Sequence, residues 1–179
     1  MKRPLLFSST LAMLAGVLLL SACGFTLRGT GGDFRLPFKT LYINISGNDA
    51  FAATLRRHIR STGTEIVQDR KQADASLEIL RRDRTREVLS LSTAGRVREY
   101  ALFYTFRFQV TDRENRILME PVEIRLRRTL IYDESQAYAR EKEAEMLYED
   151  MQNDVISQVV RRMANIEIND QSDKTEPDL

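Results

Sequence analysis

The stretch VREYALFYTFRFQVT, residues 97–111, decides the fold of this chain. Its large apolar side chains fall on every second position: Tyr100, Leu102, Tyr104, Phe106, Phe108 and Val110. The positions between them are mostly polar, and only Phe103 breaks the pattern. A period of two maintained over this length predicts a long β-strand that buries one face.

The residues that follow predict a second strand paired with the first. The segment DRENR, 112–116, is typical of a hairpin turn, and ILMEPVEIRLRRTLIY, 117–132, returns with alternating apolar residues. Pro121 has no backbone N–H to donate to a ladder. That part of the return strand is therefore expected to lie at a sheet edge or in a β-bulge.

The residues before the long strand predict a strand, a helix and a second extended region. Alternating Leu41, Ile43 and Ile45 indicate a strand in FKTLYINI, 38–45. Apolar residues at helical spacing follow, with Asn48 or Asp49 available as the N-cap. Gly63 stands where a helix commonly ends in the left-handed conformation. The segments TEIVQ, 64–68, and ASLEILRRD, 75–83, form the extended region.

The C-terminal part predicts one long amphipathic helix that begins near Ser135. Its apolar stripe recurs every three or four residues: Ala144, Leu147, Tyr148, Met151, Val155, Ile156, Val159, Val160 and Met163. Together these elements predict an α+β fold. We expect a two-layer sandwich, with two helices on one face of a roughly four-stranded, mostly antiparallel sheet.

The N-terminus predicts export and lipidation. Lys2 and Arg3 precede an apolar run, and LSAC, 20–23, ends it at the one cysteine of the chain. This arrangement is typical of a lipoprotein signal peptide covering residues 1–22. Cys23 would then carry a diacylglycerol and an N-linked acyl chain such as palmitate. Gly24 stands where lipoproteins kept in the inner membrane usually carry Asp, so we expect the cell outer membrane, with the chain facing the periplasm.

Composition sets the remaining domain boundaries. Residues 23–37, the acylated end and its glycine-rich tether, precede a folded domain at 38–168, and an acidic segment at 169–179 is expected to be disordered. The formal net charge is +1, which argues against nucleic acid as the main partner.

Catalytic and metal chemistry find no support in the residues. His58 is the one histidine, and no nucleophile motif accompanies it. One histidine and one acylated cysteine cannot form a zinc shell. We expect His58 to be a surface or half-buried helix residue, and we expect neither enzymatic activity nor a cofactor.

Three segments carry a family resemblance that covers essentially the whole chain. SACGFTLRG at 21–29, GRVREY at 95–100 and DESQAYARE at 133–141 are similar to the LptE family of lipopolysaccharide-assembly lipoproteins. The resemblance implies a plug inside the outer-membrane β-barrel LptD, which the lipoprotein helps to assemble, and contact with lipopolysaccharide.

The resemblance also implies candidate lipopolysaccharide-binding residues. A basic position of the family lines up with Arg140. A second lines up with 92–94, where this chain has no basic residue, so Arg96 or Arg98 would replace it from the strand side.

The connection around residues 92–94 has arginines on both sides, at 81–86 and 96–98. These arginines are predicted to converge at one end of the sheet. Guanidinium groups match phosphates well, although arginine on exposed strands also serves solvation and edge protection. Two other functions stay open: a free periplasmic module that binds lipid or peptidoglycan, and an accessory lipoprotein of barrel assembly.

Overall fold

The computed structural model describes residues 35–45, 47 and 49–167. Within them five strands and two α-helices follow in this order: β1 (Thr40–Asn44), α1 (Ala50–Ser61), β2 (Glu65–Val67), β3 (Ala75–Leu91), β4 (Val97–Asp112), β5 (Ile117–Ile131) and α2 (Ala137–Ala164). The predicted signal peptide, Cys23, nearly all of the tether and the acidic tail lie outside the described residues. Leu36 is only 8% exposed and belongs to the core, so packing begins before Phe38.

The strands form one mixed sheet in the order β2-β1-β3-β4-β5. The β1 strand pairs in parallel with β2 and β3, whereas β3, β4 and β5 form a long antiparallel meander. The predicted α+β class is confirmed. The sheet has five strands in the described residues rather than about four, because Glu65–Val67 returns from α1 and pairs beside β1 as a separate short strand.

The core lies between the helices and one face of β4. The alternating residues predicted for that face are almost fully buried: Leu102, Tyr104, Phe106, Phe108 and Val110 are each 0–2% exposed. Phe51 of α1 meets the rings of Tyr104 and Phe106, at centroid distances of 6.4 and 5.4 Å. Each such side chain contributes about 1.5–3 kcal/mol on burial, so this strand supplies much of the stability.

The α1 helix has the caps that its sequence predicts. The Asp49 carboxylate accepts a hydrogen bond from the Ala52 amide at 2.9 Å. At the other end Gly63 adopts φ +84°, and its amide donates to the Arg60 carbonyl at 3.0 Å. Asp49 is thus the residue, of the two candidates, that begins the helix.

The α2 helix covers β4 and β5 with the predicted stripe. Met151, Val155, Val159 and Met163 are completely buried. Leu147 is only partly buried at the margin of the core. The Tyr148 hydroxyl donates to the Thr85 carbonyl of β3 at 2.9 Å, which ties the middle of the helix to the sheet.

A β-bulge determines which β3 side chains face the helices. The β3–β4 register shifts between Ile79 and Arg81, and the extra residue, Leu80, is 47% exposed. Beyond this bulge Arg82, Arg84 and Arg86 pair with Phe106, Tyr104 and Leu102, and therefore share the helix-facing side of the sheet. We call these three residues the arginine row.

The arginine row joins the hairpin to both helices. Each guanidinium donates to a helix carboxylate or cap: Arg82 to Asp49 at 2.5 Å, Arg84 to Glu145 at 2.9 Å, and Arg86 to Glu141 at 2.7 and 2.9 Å. Each also lies over an aromatic ring, at 4.9–5.2 Å from its centroid. The predicted convergence of Arg81 to Arg86 on one connection is wrong, because β3 continues to Leu91 and these residues lie along it.

The β4–β5 register also shifts, as Pro121 predicts. Phe108 pairs with Val122 and Val110 with Met119, so Glu120 and Pro121 together lie opposite one residue of β4. The β5 strand is one edge of the described sheet, and β2 is the other. Both expectations for Pro121, an edge strand and a bulge, are confirmed.

Substituting Asp49 should separate helix capping from the ion pair with Arg82. Asp49→Ala removes both and should lower the free energy of unfolding by about 1–2 kcal/mol at pH 7. Asp49→Asn keeps a capping oxygen and should lose at most about 1 kcal/mol, because the ion pair is exposed. Urea unfolding of residues 24–179 measures both values.

The pH dependence of the Asp49 variants provides the check on the ion pair. The hydrogen bond from Arg82 lowers the pKa of the Asp49 carboxyl. The stabilisation is therefore present above the unfolded-state pKa of about 4 and is lost as pH falls through the lower folded-state pKa. The difference between wild type and Asp49→Asn should shrink toward pH 3; a constant difference would contradict the role of Arg82.

Candidate binding site at the end of the long hairpin

The β3–β4 hairpin extends well past the short strands. The β1 strand pairs with β3 only as far as Glu78, so the rest of the hairpin continues with β5 as its one neighbour in the described sheet. The hairpin closes where the Ser92 amide donates to the Arg96 carbonyl at 2.7 Å, and Gly95 adopts φ +74°. We use "hairpin end" for residues 88–100, 131–133 and the first turns of α2.

The three predicted basic residues, Arg96, Arg98 and Arg140, lie together at the hairpin end. The Arg98 carbonyl accepts a hydrogen bond from the Tyr132 amide at 2.8 Å, which places it beside Asp133. Hydrogen bonds from Ser135 chiefly lower the pKa of the Asp133 carboxyl, and the charges of Arg140 and Arg96 lower it further. The charges of Arg140 and Arg96 thus act on one carboxylate, and the backbone of Arg98 lies beside it, although the three residues come from different elements.

Arg140 is the most constrained of the three. Its Nη1 donates to Glu143 at 2.8 Å and its Nη2 to Gln136 at 3.3 Å. The side chain is 27% exposed, and its Nε is buried without a hydrogen-bond partner among the described residues. Because a guanidinium has five N–H donors, Arg140 keeps donors for an anion while its position is fixed.

The sequence interpretation missed the apolar half of the hairpin end. Five large apolar side chains are exposed there: Val88 at 55%, Leu89 at 44%, Leu91 at 57%, Ile131 at 63% and Tyr138 at 79%. The sequence EVLSL, 87–91, indicated this surface. It is an apolar strand end that extends beyond the start of the predicted long helix, so the helix does not cover it. Exposed apolar side chains grouped in this way commonly mark a binding surface.

The combination of arginines and exposed apolar side chains determines what the hairpin end can bind. Guanidinium groups bind phosphate or carboxylate through paired, charge-assisted hydrogen bonds. The neighbouring apolar side chains contribute by leaving water, about 25 cal/mol per Å² of buried area. The arrangement suits an amphiphile with an anionic headgroup, because both kinds of contact occur at this end of the hairpin.

Other chemistries find little support in the described residues. The His58 Nδ1 lies 3.0 Å from the Thr54 carbonyl within α1, and the side chain is half-buried, as predicted. Among the residues described, no three His, Cys, Asp or Glu side chains are grouped to hold a metal ion. Neither described helix is both long enough and apolar enough to cross a membrane.

The overall sequence matches curated lipoproteins. An LPS-assembly lipoprotein LptE from Pectobacterium atrosepticum is 27% identical over 161 residues, covering 88% of this chain and 85% of that protein. LPS-assembly lipoprotein LptE from Yersinia pestis is also 27% identical and is covered over 75% of its length.

Solved structures share the fold. A solution NMR structure of an uncharacterized lipoprotein B from Nitrosomonas europaea is 35% identical with a TM-score of 0.67, covering 79% of this chain and 90% of that one. The crystal structure of rare lipoprotein B from Shewanella oneidensis is 26% identical with a TM-score of 0.64, covering 73% and 97%. A family model described as "LptE: Lipopolysaccharide-assembly" matches residues 38–163, which include α1, the whole hairpin and α2 as far as Met163. The chain therefore belongs to the LptE family.

Proposed function

We propose that this chain is a non-catalytic outer-membrane lipoprotein that acts as plug and assembly partner of an LptD-like β-barrel during transport of lipopolysaccharide to the outer leaflet. The observation that carries the proposal is the hairpin end, where basic and exposed apolar side chains lie together on a domain of the LptE family. Lipopolysaccharide presents both phosphates and acyl chains, so both halves of this surface would have a partner.

The packing of the domain favours a plug over a lipid carrier. A carrier would be expected to enclose a deep apolar cavity, whereas the apolar residues between this sheet and its helices form one tightly buried cluster. The alternative is a free lipoprotein module that binds lipid or peptidoglycan without a barrel. The two differ in whether the detergent-extracted protein purifies with a large barrel or alone.

Lipidation at Cys23 would place this domain at the membrane. We expect Cys23→Ala to abolish membrane anchoring while the fold is retained, because the glycine-rich segment separates the acyl site from the domain. Several acyl chains hold a protein firmly, since each buried CH₂ contributes about 0.8 kcal/mol. Mass spectrometry of the mature N-terminus tests this directly. An unmodified Cys23 thiol would refute lipidation.

A barrel partner should be captured from the hairpin end. A photo-crosslinking residue at Thr93, in the exposed turn, or at exposed Tyr138 should join the protein to an outer-membrane barrel in cells. The unirradiated sample is the control, and mass spectrometry identifies the product. If only soluble periplasmic proteins are captured, the free-module alternative gains support and the plug is rejected.

Direct lipopolysaccharide recognition should depend on charge and on apolar contact separately. Replacing Arg96, Arg98 and Arg140 together with Gln should weaken binding about tenfold to a hundredfold at low salt, since each exposed charged contact contributes up to about 1 kcal/mol. The loss should diminish in high salt, because exposed charges are screened over about 8–10 Å at physiological ionic strength. The affinity of residues 24–179 for lipopolysaccharide is the measurement.

Two further variants make this test specific. The first variant replaces Arg57, Arg60 and Arg161 with Gln; these residues are exposed on the helices, away from the hairpin end. It removes the same charge and should leave the affinity for lipopolysaccharide nearly unchanged. The second variant replaces Leu91 and Ile131 with Ser. It should weaken lipopolysaccharide binding equally at low and high salt, because it removes apolar contact area. Equal affinity of the hairpin-end triple variant and wild type would assign those arginines to solvation or barrel contact.

A further inference from the structure

The edge of β5 has a row of backbone groups that point away from the sheet. The bond from the Tyr132 amide to the Arg98 carbonyl fixes the phase of the β4–β5 ladder. Bonded and non-bonded pairs alternate in an antiparallel ladder, and this register is unbroken from Ile131 back to Val122. The N–H and C=O groups of every second residue therefore face outward: Glu123, Arg125, Arg127, Thr129 and Ile131.

The side chains of these outward residues lie on the sheet face opposite the helices. Arg125 and Arg127 are exposed there and approach the ring of Phe103, with guanidinium carbons 4.2 and 6.0 Å from its centroid. Phe103 is the residue that breaks the alternation of β4, and its position under two arginines accounts for an aromatic side chain on the polar face. A guanidinium held over a ring retains its N–H donors for a carboxylate.

The charges of these two arginines are only weakly balanced. Arg125 lies 3.9 Å from Glu87, and Arg127 has no ion pair among the described residues. The neighbouring Arg128 points to the helix side instead and binds Asp154 at 2.7 Å. The Arg127 carbonyl accepts a hydrogen bond from Arg128 Nη1 at 3.2 Å, at the long end of the usual range. The outward edge thus offers two available guanidinium groups beside a run of backbone groups that face away from the sheet.

The same pattern disfavours a second copy of this chain as the occupant. Antiparallel self-pairing over the whole of 123–131 is centred on Arg127 and would place two Arg127 side chains directly opposite each other. Like charges at such a position are destabilising. The bulge at Pro121 prevents a regular ladder from extending toward the other end of the strand.

We propose that the β5 edge from Glu123 to Ile131 docks an extended segment of a partner protein that carries carboxylates at alternate positions. The segment adds as a strand, so that its backbone pairs with the outward groups of β5 and its carboxylates meet Arg125 and Arg127. This mode of recognition takes affinity from the backbone ladder and specificity from alternate side chains. The two arginines of this surface lie outside the hairpin end, with which the edge shares Ile131, so the proposal does not depend on the lipopolysaccharide contact.

The experiment uses full-length protein in a nonionic detergent and a labelled nine-residue peptide of alternating valine and glutamate, blocked at both ends. The matching valine–lysine peptide is the charge control. We expect the glutamate peptide to bind at least about tenfold more tightly than the lysine peptide, from two charge-assisted contacts. Bound peptide should slow hydrogen exchange of the Arg125, Arg127 and Thr129 amides. Equal binding of the two peptides, or no binding, would overturn the proposal.

Variants distinguish a docked strand from an anion held by side chains alone. Replacing Arg125 and Arg127 with Gln should weaken binding of the glutamate peptide about tenfold. Replacing Arg57 and Arg161 with Gln removes two exposed charges from the helices and should leave binding nearly unchanged. Thr129→Pro deletes one outward N–H, a change that edge strands tolerate, and should weaken binding and abolish amide protection. Thr129→Val is its control.

Two outcomes with these variants count against strand addition. If Thr129→Pro binds as wild type does while the arginine variant is weakened, the guanidinium groups bind anions without a strand. If the wild-type protein instead dimerises in a concentration-dependent way that Thr129→Pro abolishes, the edge pairs with a second copy. Thermal unfolding of each variant confirms that it is folded.

Discussion

The structure depends on burying one face of β4 against two helices. Tyr104, Phe106 and Phe108 are nearly inaccessible to water, and they lie on the middle strand of a meander whose outer strands are 17 and 15 residues long. Only α1 and α2 are available in the described chain to cover that face. Since both helices lie on one side, no described helix covers the opposite face of the sheet, the outer edge of β5 or the turn of the long hairpin. The surfaces assigned to binding are those that this core does not use.

Much of this arrangement follows from local sequence. The period of two in β4, the Asp49 cap, Gly63 and the stripe of α2 each satisfy a short-range physical requirement, so the elements and the fold class could be predicted. Pro121 indicated its bulge for the same reason, because a missing N–H has only a few tolerated positions. What could not be predicted depends on pairing between distant segments. Leu36 joins the core only because the folded sheet brings buried surface next to it.

The bulge at Leu80 is the clearest case of such non-local control. Before it, Leu77 shares a face with Val110; after it, the even-numbered residues of β3 face the helices. Without the extra residue, Arg81 and Asp83 would point toward the core and the arginine row would point away. The sequence shows a dense run of arginines but not the register that divides them. For this reason the prediction that they converge on one site was wrong, while the charges of Arg96 and Arg140 do act on one carboxylate, Asp133.

Arginine therefore has two physical roles in this domain, one within the fold and one in binding. The contacts that each guanidinium makes within the chain distinguish the two roles. In the arginine row each guanidinium has a helix carboxylate or cap and an aromatic ring, so an external anion would have to displace a contact already made within the fold. At the hairpin end and on the β5 edge, the guanidinium groups have weaker or incomplete partners. They lie next to groups that a ligand can contact. Those neighbours are exposed apolar side chains in one case and outward backbone groups in the other. The neighbouring chemistry, more than the positive charge, determines which ligand each surface fits: an anionic amphiphile at the hairpin end and an extended acidic segment along β5.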